Sequence, residues 1–177
     1  MIIRELTRSD VDGLAGLFGR LSDRDITVIR ENVHDPEWTE RLADTADLRW
    51  VAVADDGPVV GYAAVNRLPG WSDHVGELRL VVDPTLRGGG IGRKLSQRAL
   101  HGAFTTGIRK VVIELATDED AVLEMFSRLG FTGEALLRNH IRDRDGGLRD
   151  LIILAHHADE TWDTLHAIGV TEALDEA

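Results

Sequence analysis

The chain has no cysteine, which excludes disulfides, thiolate zinc sites and a cysteine nucleophile. Positive charge is in the minority: 20 Lys and Arg against 31 Asp and Glu give a net charge of −11. Neutralising a phosphate backbone needs clustered cations, so this balance argues against a nucleic-acid partner and permits a cationic amine. No apolar run approaches the length of a membrane span, and the charges at Arg4 and Glu5 come too early for a signal peptide, so no membrane partner and a cytoplasmic protein are expected. The seven histidines show no His-Glu-x-x-His spacing. His156-His157 close an apolar run, where a solvated strand end is expected, and no metal is predicted.

What is present suits one soluble domain: 43% hydrophobic and 29% charged residues over 177 positions can bury a full core. Ile2 to Leu6 reads as a strand. Ser9, with Asp12 three residues on, is expected to cap a helix whose apolar face is Val11, Leu14, Leu17, Phe18 and Leu21. Ser22 is a second capping candidate, before Ile26, Val28 and Ile29, and Pro36 opens a helix with Trp38 and Leu42. Leu48 to Ala54 and Pro58 to Val65 flank Asp55-Asp56-Gly57 as a hairpin. Arg109 to Ala116 is a buried-looking strand; Thr117 then caps a helix that places Val122, Met125, Phe126 and Leu129 inward and stops at Gly130. Glu134 to Arg142 and Leu148 to His156 flank Asp143-Arg-Asp-Gly-Gly147, a second hairpin by its turn chemistry.

The centre of the chain, Glu77 to Lys94, is a strand broken at Pro84, a glycine-rich loop and a helix. Gly88, Gly89, Gly90 and Gly92 remove side chains where the loop meets the helix N-terminus, so backbone N–H groups can converge on a phosphate or pyrophosphate. A Walker loop needs Gly directly before Lys-Ser/Thr, but Arg93 precedes Lys94 and Leu95 follows it. A dinucleotide fingerprint from Gly88 finds Arg93 where its third glycine belongs, although Glu114 on the next strand superficially supplies the ribose-binding acid. The spacing Arg-x-x-Gly-x-Gly, Arg87 through Gly92, is met in full.

That pattern resembles the pyrophosphate-binding signature of the GNAT superfamily, the acyl-CoA-dependent N-acyltransferases. Its context agrees over most of the chain: Val81-Val82-Asp83-Pro84 before the loop, a helix after it, the strand Lys110 to Leu115, a short helix, then Leu129-Gly130-Phe131. The turn of the second hairpin also looks like that of a poorly characterised subgroup reading Arg-Asp-His-x-x-Asp-Arg-Asp-Gly. The resemblance implies an α/β (α+β) fold over residues 1–157: a mixed, mostly antiparallel sheet of six to seven strands flanked by helices and split at a bulge in the central strand. Residues 158–177 form an acidic extension beyond that core. There Trp162, Leu165 and Ile168 are expected to dock a short helix on the domain or on a second subunit of a homodimer, or to leave the tail partly disordered.

The implied reaction is acetyl transfer from acetyl-CoA, the co-substrate, to a primary amine of a small molecule or protein, by direct attack in a ternary complex. Arg87, Gly88, Gly89, Gly90, Ile91, Gly92 and Arg93 would bind the pyrophosphate. Leu80, Val81 and Val82 would hold the pantetheine arm and thioester carbonyl, with the Val81 or Val82 N–H as oxyanion donor. Glu77 would take the amine proton, with Arg79 on the same face orienting it or an acceptor carboxylate. Asp23, Asp25, Glu31, His34, Trp71 and His74 are acceptor-side candidates. The sequence departs from the pattern at Phe126, where many relatives carry a tyrosine beside the departing sulfur, leaving an unassisted thiolate, a water, Tyr62 or His74 for the proton. It departs again at Glu119, in place of a pantetheine-binding asparagine. A non-catalytic acyl-CoA-sensing module is the alternative function.

Overall fold

The structure, a computed structural model, describes residues 1–27, 29, 32–33, 35–44 and 48–158. Val28, Glu31, His34 and the expected tail helix lie outside the described residues. Among the described residues, seven strands form one sheet: β1 (Ile2–Glu5), β2 (Leu48–Val53), β3 (Val59–Arg67), β4 (Val75–Val82), β5 (Lys110–Ala116), β6 (Thr132–Arg142) and β7 (Leu148–His157). Their spatial order is β1-β2-β3-β4-β5-β7-β6. Every neighbouring pair is antiparallel except β4 and β5. The helices are α1 (Val11–Phe18), α2 (Asp23–Thr27), α3 (Pro36–Asp44), α4 (Ile91–Thr105) and α5 (Asp120–Arg128). Among the described residues, no helix is long and apolar enough to cross a membrane.

The two faces of the sheet carry separate cores, as strand alternation requires. On one face Leu95, Ala99 and Ala103 of α4 and Phe126 of α5 pack with Trp50, Leu78 and Val111. On the other Leu14, Leu17 and Phe18 of α1 pack with Val51, Tyr62 and Ala64. Each fully buried Leu or Phe contributes about 1.5–3 kcal/mol by leaving water. Gly102 sits inside α4 for a packing reason, since a Cβ there would stand 2.4 Å from the Trp50 ring.

Several local expectations shift. The first cap falls at Thr7, not Ser9: the Thr7 N–H and hydroxyl both donate to Asp10 at 2.9 and 2.7 Å, and a 3-10 turn leads into α1. Ser22 does cap α2, exchanging bonds with Asp25. The helix expected to be capped by Thr117 starts instead at Asp120 with Glu119 as its N-cap, while Thr117 extends the β5–β7 pairing, its N–H bonded to the Asp150 carbonyl. His156 is no solvated strand end: it is 5% exposed, stacked on Phe104 and tilted against Phe131. The expected bulge is missing from β4, whose ladder with β3 runs unbroken from Gly76–Arg67 to Val82–Gly61. The large bulge lies in β6, where Arg138, Asn139 and His140 together oppose Asp150, with Asn139 at φ 52° and its N–H on the Asp150 carboxylate at 2.7 Å.

Candidate active site

The site exists because β4 and β5 part company. Their parallel pairing runs only through Val75–Lys110, Gly76–Val111 and Glu77–Val112, and then the strands diverge. The Leu68 N–H donates to Val75 and the Asp83 N–H to Val60, both at 2.9 Å. Odd-numbered residues of β4 therefore direct their backbone groups toward β3, and even-numbered ones toward β5. The Arg109 N–H bond to the His74 carbonyl at 2.7 Å agrees with this alternation. Beyond Glu77 the N–H groups of Leu80 and Val82 point into the gap that β5 has left, whereas the Val81 N–H is directed to β3.

A cleft of about 870 Å³ occupies that gap. It is lined by Leu80, Val81, Val82, Arg87, Gly88, Gly90, Ile91, Gly92 and Arg93, and opposite them by Ile113 to Ala116, Glu119, Val122, Met125 and Phe126. Of the residues expected on the cofactor side, only Gly89 is missing from the wall. Gly88 and Gly90 both take φ 80°, a left-handed conformation open to glycine, and Gly90 caps the N-terminus of α4. A Cβ at Gly92 would stand 3.5 Å from Leu80, Val82 and Met125, so hydrogen at this position keeps the floor between β4 and α5 low. Upstream, Asp83 steadies the loop by accepting from Thr85 and from Arg20 at 2.6 Å. Burial pushes the Asp83 carboxyl up, but these donors outweigh it and hold it below the ordinary carboxylate range.

The cleft continues past Arg79 to Asn66, Tyr62 and Arg49, under Phe18, Trp38 and Leu42. A second cavity, of about 400 Å³, lies beside Thr27, His140, Ile141 and Arg142, and shares Glu114, Leu115 and Ala116 with the cleft. Glu114 therefore stands where the two spaces meet. Its signal in the sequence is a lone acid inside the apolar run from Val111 to Ala116.

Glu77 lines neither space. Its carboxylate faces Arg79 at 3.1 Å on the same side of the sheet, and both side chains are mostly buried. Glu114 and Arg79 each stand two residues beyond the last β4–β5 pair, on the same face. Tyr62 lines the cleft, its hydroxyl accepting from Arg49 at 2.8 Å. His74 sits at the far end of β4 outside the cleft, and Trp71 is 95% exposed on the surface. Phe126 is fully buried and packs edge-on to Phe131 at 5.0 Å. Asp25 and Arg24 reach the cleft from α2, and Glu119 from the start of α5. Asp23 instead pairs with Arg144 of the β6–β7 turn.

Residues 19–131 match the Acetyltransferase (GNAT) family. Among curated proteins the chain is 30% identical over 141 residues to an N-alpha-acetyltransferase RimI of Mycobacterium tuberculosis, covering 79% of this chain and 84% of that one. It is 38% identical over 106 residues to a mycothiol acetyltransferase of Amycolatopsis mediterranei, covering 56% of this chain but only 35% of that protein. Among solved structures it shares the fold of a ribosomal-protein-alanine N-acetyltransferase from Brucella melitensis, with a TM-score of 0.78, 23% identity and coverage of 89% and 99% of the two chains. It shares it equally with yncA, a putative acetyltransferase from Salmonella typhimurium solved with its cofactor acetyl-CoA, with a TM-score of 0.78, 21% identity and coverage of 89% and 93%. The splayed strands, the glycine loop at the head of α4 and the family match over its central residues agree, and the chain belongs to the GNAT acetyltransferase family.

Proposed function

We propose that the protein transfers an acetyl group from acetyl-CoA to a primary amine, and that the cleft between β4 and β5 is where the two meet. The observation that carries this reading is the pair of spaces joined at Glu114: one runs from the glycine loop along free β4 backbone, and the other gives an amine its own approach. Two entrances suit direct attack in a ternary complex.

Acyl transfer from a thioester needs a held carbonyl, a neutral amine, a donor for the developing oxyanion and a tolerable leaving thiolate; a thiol pKa near 8.5 makes the last demand mild. The loop from Arg87 to Arg93, with Gly89 at its turn, binds the pyrophosphate through its backbone and the N-terminus of α4. The Val82 N–H, with that of Leu80 beside it, takes the carbonyl oxygen; Val81 contributes its side chain to the wall. Fixed donors of this kind cost no reorganisation when charge develops. Glu114 is the carboxylate placed to accept the amine proton, because it faces both spaces. Glu77, the carboxylate expected from the sequence, acts from the second layer by fixing Arg79. Phe126 donates no proton, so the thiolate leaves with the help of a water or unassisted. The amine acceptor is a small molecule or a protein amino group.

Phe126 also favours the second reading, an acyl-CoA-binding module without turnover. Thiol release from acetyl-CoA, followed over a broad panel of amines alongside CoA binding, separates the two. Release that depends on an amine, with the acetyl group found on it, is the expected result; binding without release on any amine would leave the sensing module.

A further inference from the structure

Ile26 of α2 packs partly buried against the core below it, no side chain of this five-residue helix is fully buried, and ion pairs tie its polar residues to the surrounding elements. Asp23 accepts from Arg144 at 2.5 Å. Arg24 donates to Asp118 at 2.8 Å and to Glu119 at 3.3 Å, on the segment leading into α5. Asp25 accepts from Arg87 Nη2 at 2.7 Å, on the glycine loop. Arg24 and Asp25 are adjacent in sequence yet reach opposite walls of the same cleft, so α2 lies across it as a strap. The Asp25 carboxylate is 17% exposed, and its second oxygen is fixed by the Ser22 hydroxyl and N–H at 2.6 and 3.0 Å. This pair is therefore oriented from behind, unlike the solvent-facing pairs that Arg24 makes.

Arg87 is also the arginine of the loop proposed to bind the CoA pyrophosphate, and the role of Asp25 rests on that proposed CoA site. We propose that Asp25 sets the affinity of the cleft for CoA by competing with the pyrophosphate for Arg87, so that cofactor binding unlatches one end of the α2 strap. A carboxylate here weakens binding twice over: it occupies a donor the phosphate would use, and it places a like charge beside the anion. The same competition hastens departure of the product CoA, and product release limits turnover in many enzymes. Asp25 touches neither the acyl group nor the amine; it is a positioning residue that acts through Arg87.

Calorimetric titration of CoA into the full-length protein, Asp25→Asn, Arg87→Gln and the double variant tests this. Asp25→Asn is expected to bind CoA roughly five- to tenfold more tightly, the effect of relieving one close like charge near a protein surface. Arg87→Gln should bind more weakly, and in its background Asp25→Asn should gain little, since the competition needs both partners. Asp25→Glu should restore wild-type affinity. Ser22→Ala, which loosens the carboxylate without removing it, should give a smaller gain of the same sign, and it reports even if Asp25→Asn folds poorly. In steady state the KM for acetyl-CoA should fall in Asp25→Asn while kcat does not rise. Unchanged or weaker CoA binding in Asp25→Asn would overturn the proposal and leave the CoA site standing, as would an equal gain with and without Arg87. No CoA binding by any of the proteins would remove the CoA site together with the strap.

Discussion

Two glutamates compete for one role, and what each faces separates them. Glu114 fronts both the cleft and the side cavity, whereas Glu77 is turned onto Arg79. Glu114→Gln should keep CoA affinity and lower kcat by roughly 10²- to 10⁴-fold, the usual contribution of a general base. Raising the pH should partly rescue it, because more of the amine arrives neutral. Glu77→Gln should cost less, and its pH profile should stay close to wild type. The reverse order in a steady-state comparison would return the role to Glu77. A residue far from the cleft gives a second test. Arg4 donates to both oxygens of buried Asp10 at 2.6 Å, and this, with the bonds from Thr7, draws the Asp10 carboxyl from 3.8 to about 2. A depressed folded-state pKa gives stability that is complete above the unfolded value and lost as pH falls through the folded one. Asp10→Asn should therefore cost roughly 1–2 kcal/mol at pH 7, allowing for the partly exposed Arg4, and the difference should shrink through the acid range and disappear only as pH falls below about 2 in denaturant melts. At this scale the sequence named the glycine loop, because its spacing and the strand and helix that flank it are all local. It could not rank the two glutamates, because strand alternation tells which face a residue takes but not where a neighbouring strand departs.

Among the elements, α4 carries both the site and the core. Gly102→Ala should raise helix propensity by about 1 kcal/mol yet leave the protein less stable, because overpacking against the Trp50 ring costs roughly 1–3 kcal/mol. A shift of the urea midpoint to lower concentration is the expected reading, and a shift upward would show that Trp50 yields freely. Periodicity made α4 legible from Ile91 to Phe104, and Gly107, at φ 85°, follows its end as the sequence suggested. Caps were harder to place. Ser22 was readable as a cap ahead of Ile26, and its partner is Asp25 three residues on, but Thr7–Asp10 offers the same spacing as Ser9–Asp12, and the Arg4 pair with Asp10 decides between them. The β6 bulge left no sequence signal, since Asn139 is an ordinary strand-edge residue until Asp150 caps its N–H from the neighbouring strand.

For the whole molecule, the hairpins β2–β3 and β6–β7 were written locally in their turns, and the parallel step from β4 through α4 to β5 follows from a strand-loop-helix-strand order. The insertion of β7 between β5 and β6 is a long-range choice with no local mark. The splay belongs to the same class. Nothing in Leu78 to Val82 announces that β5 will leave, yet that departure frees the Leu80 and Val82 N–H groups on which the proposed function depends. The most direct measurement is calorimetric titration of CoA into wild type and Gly92→Val, with thermal melts of both. Gly92 is chosen because its φ is not left-handed and its Cβ site stands 3.5 Å from Leu80, Val82 and Met125 on the cleft floor. A CoA site in this cleft predicts one CoA bound per wild-type chain, and binding lost in Gly92→Val at a nearly unchanged melting temperature. Equal CoA affinity in a folded Gly92→Val protein, or no binding by wild type, would contradict it.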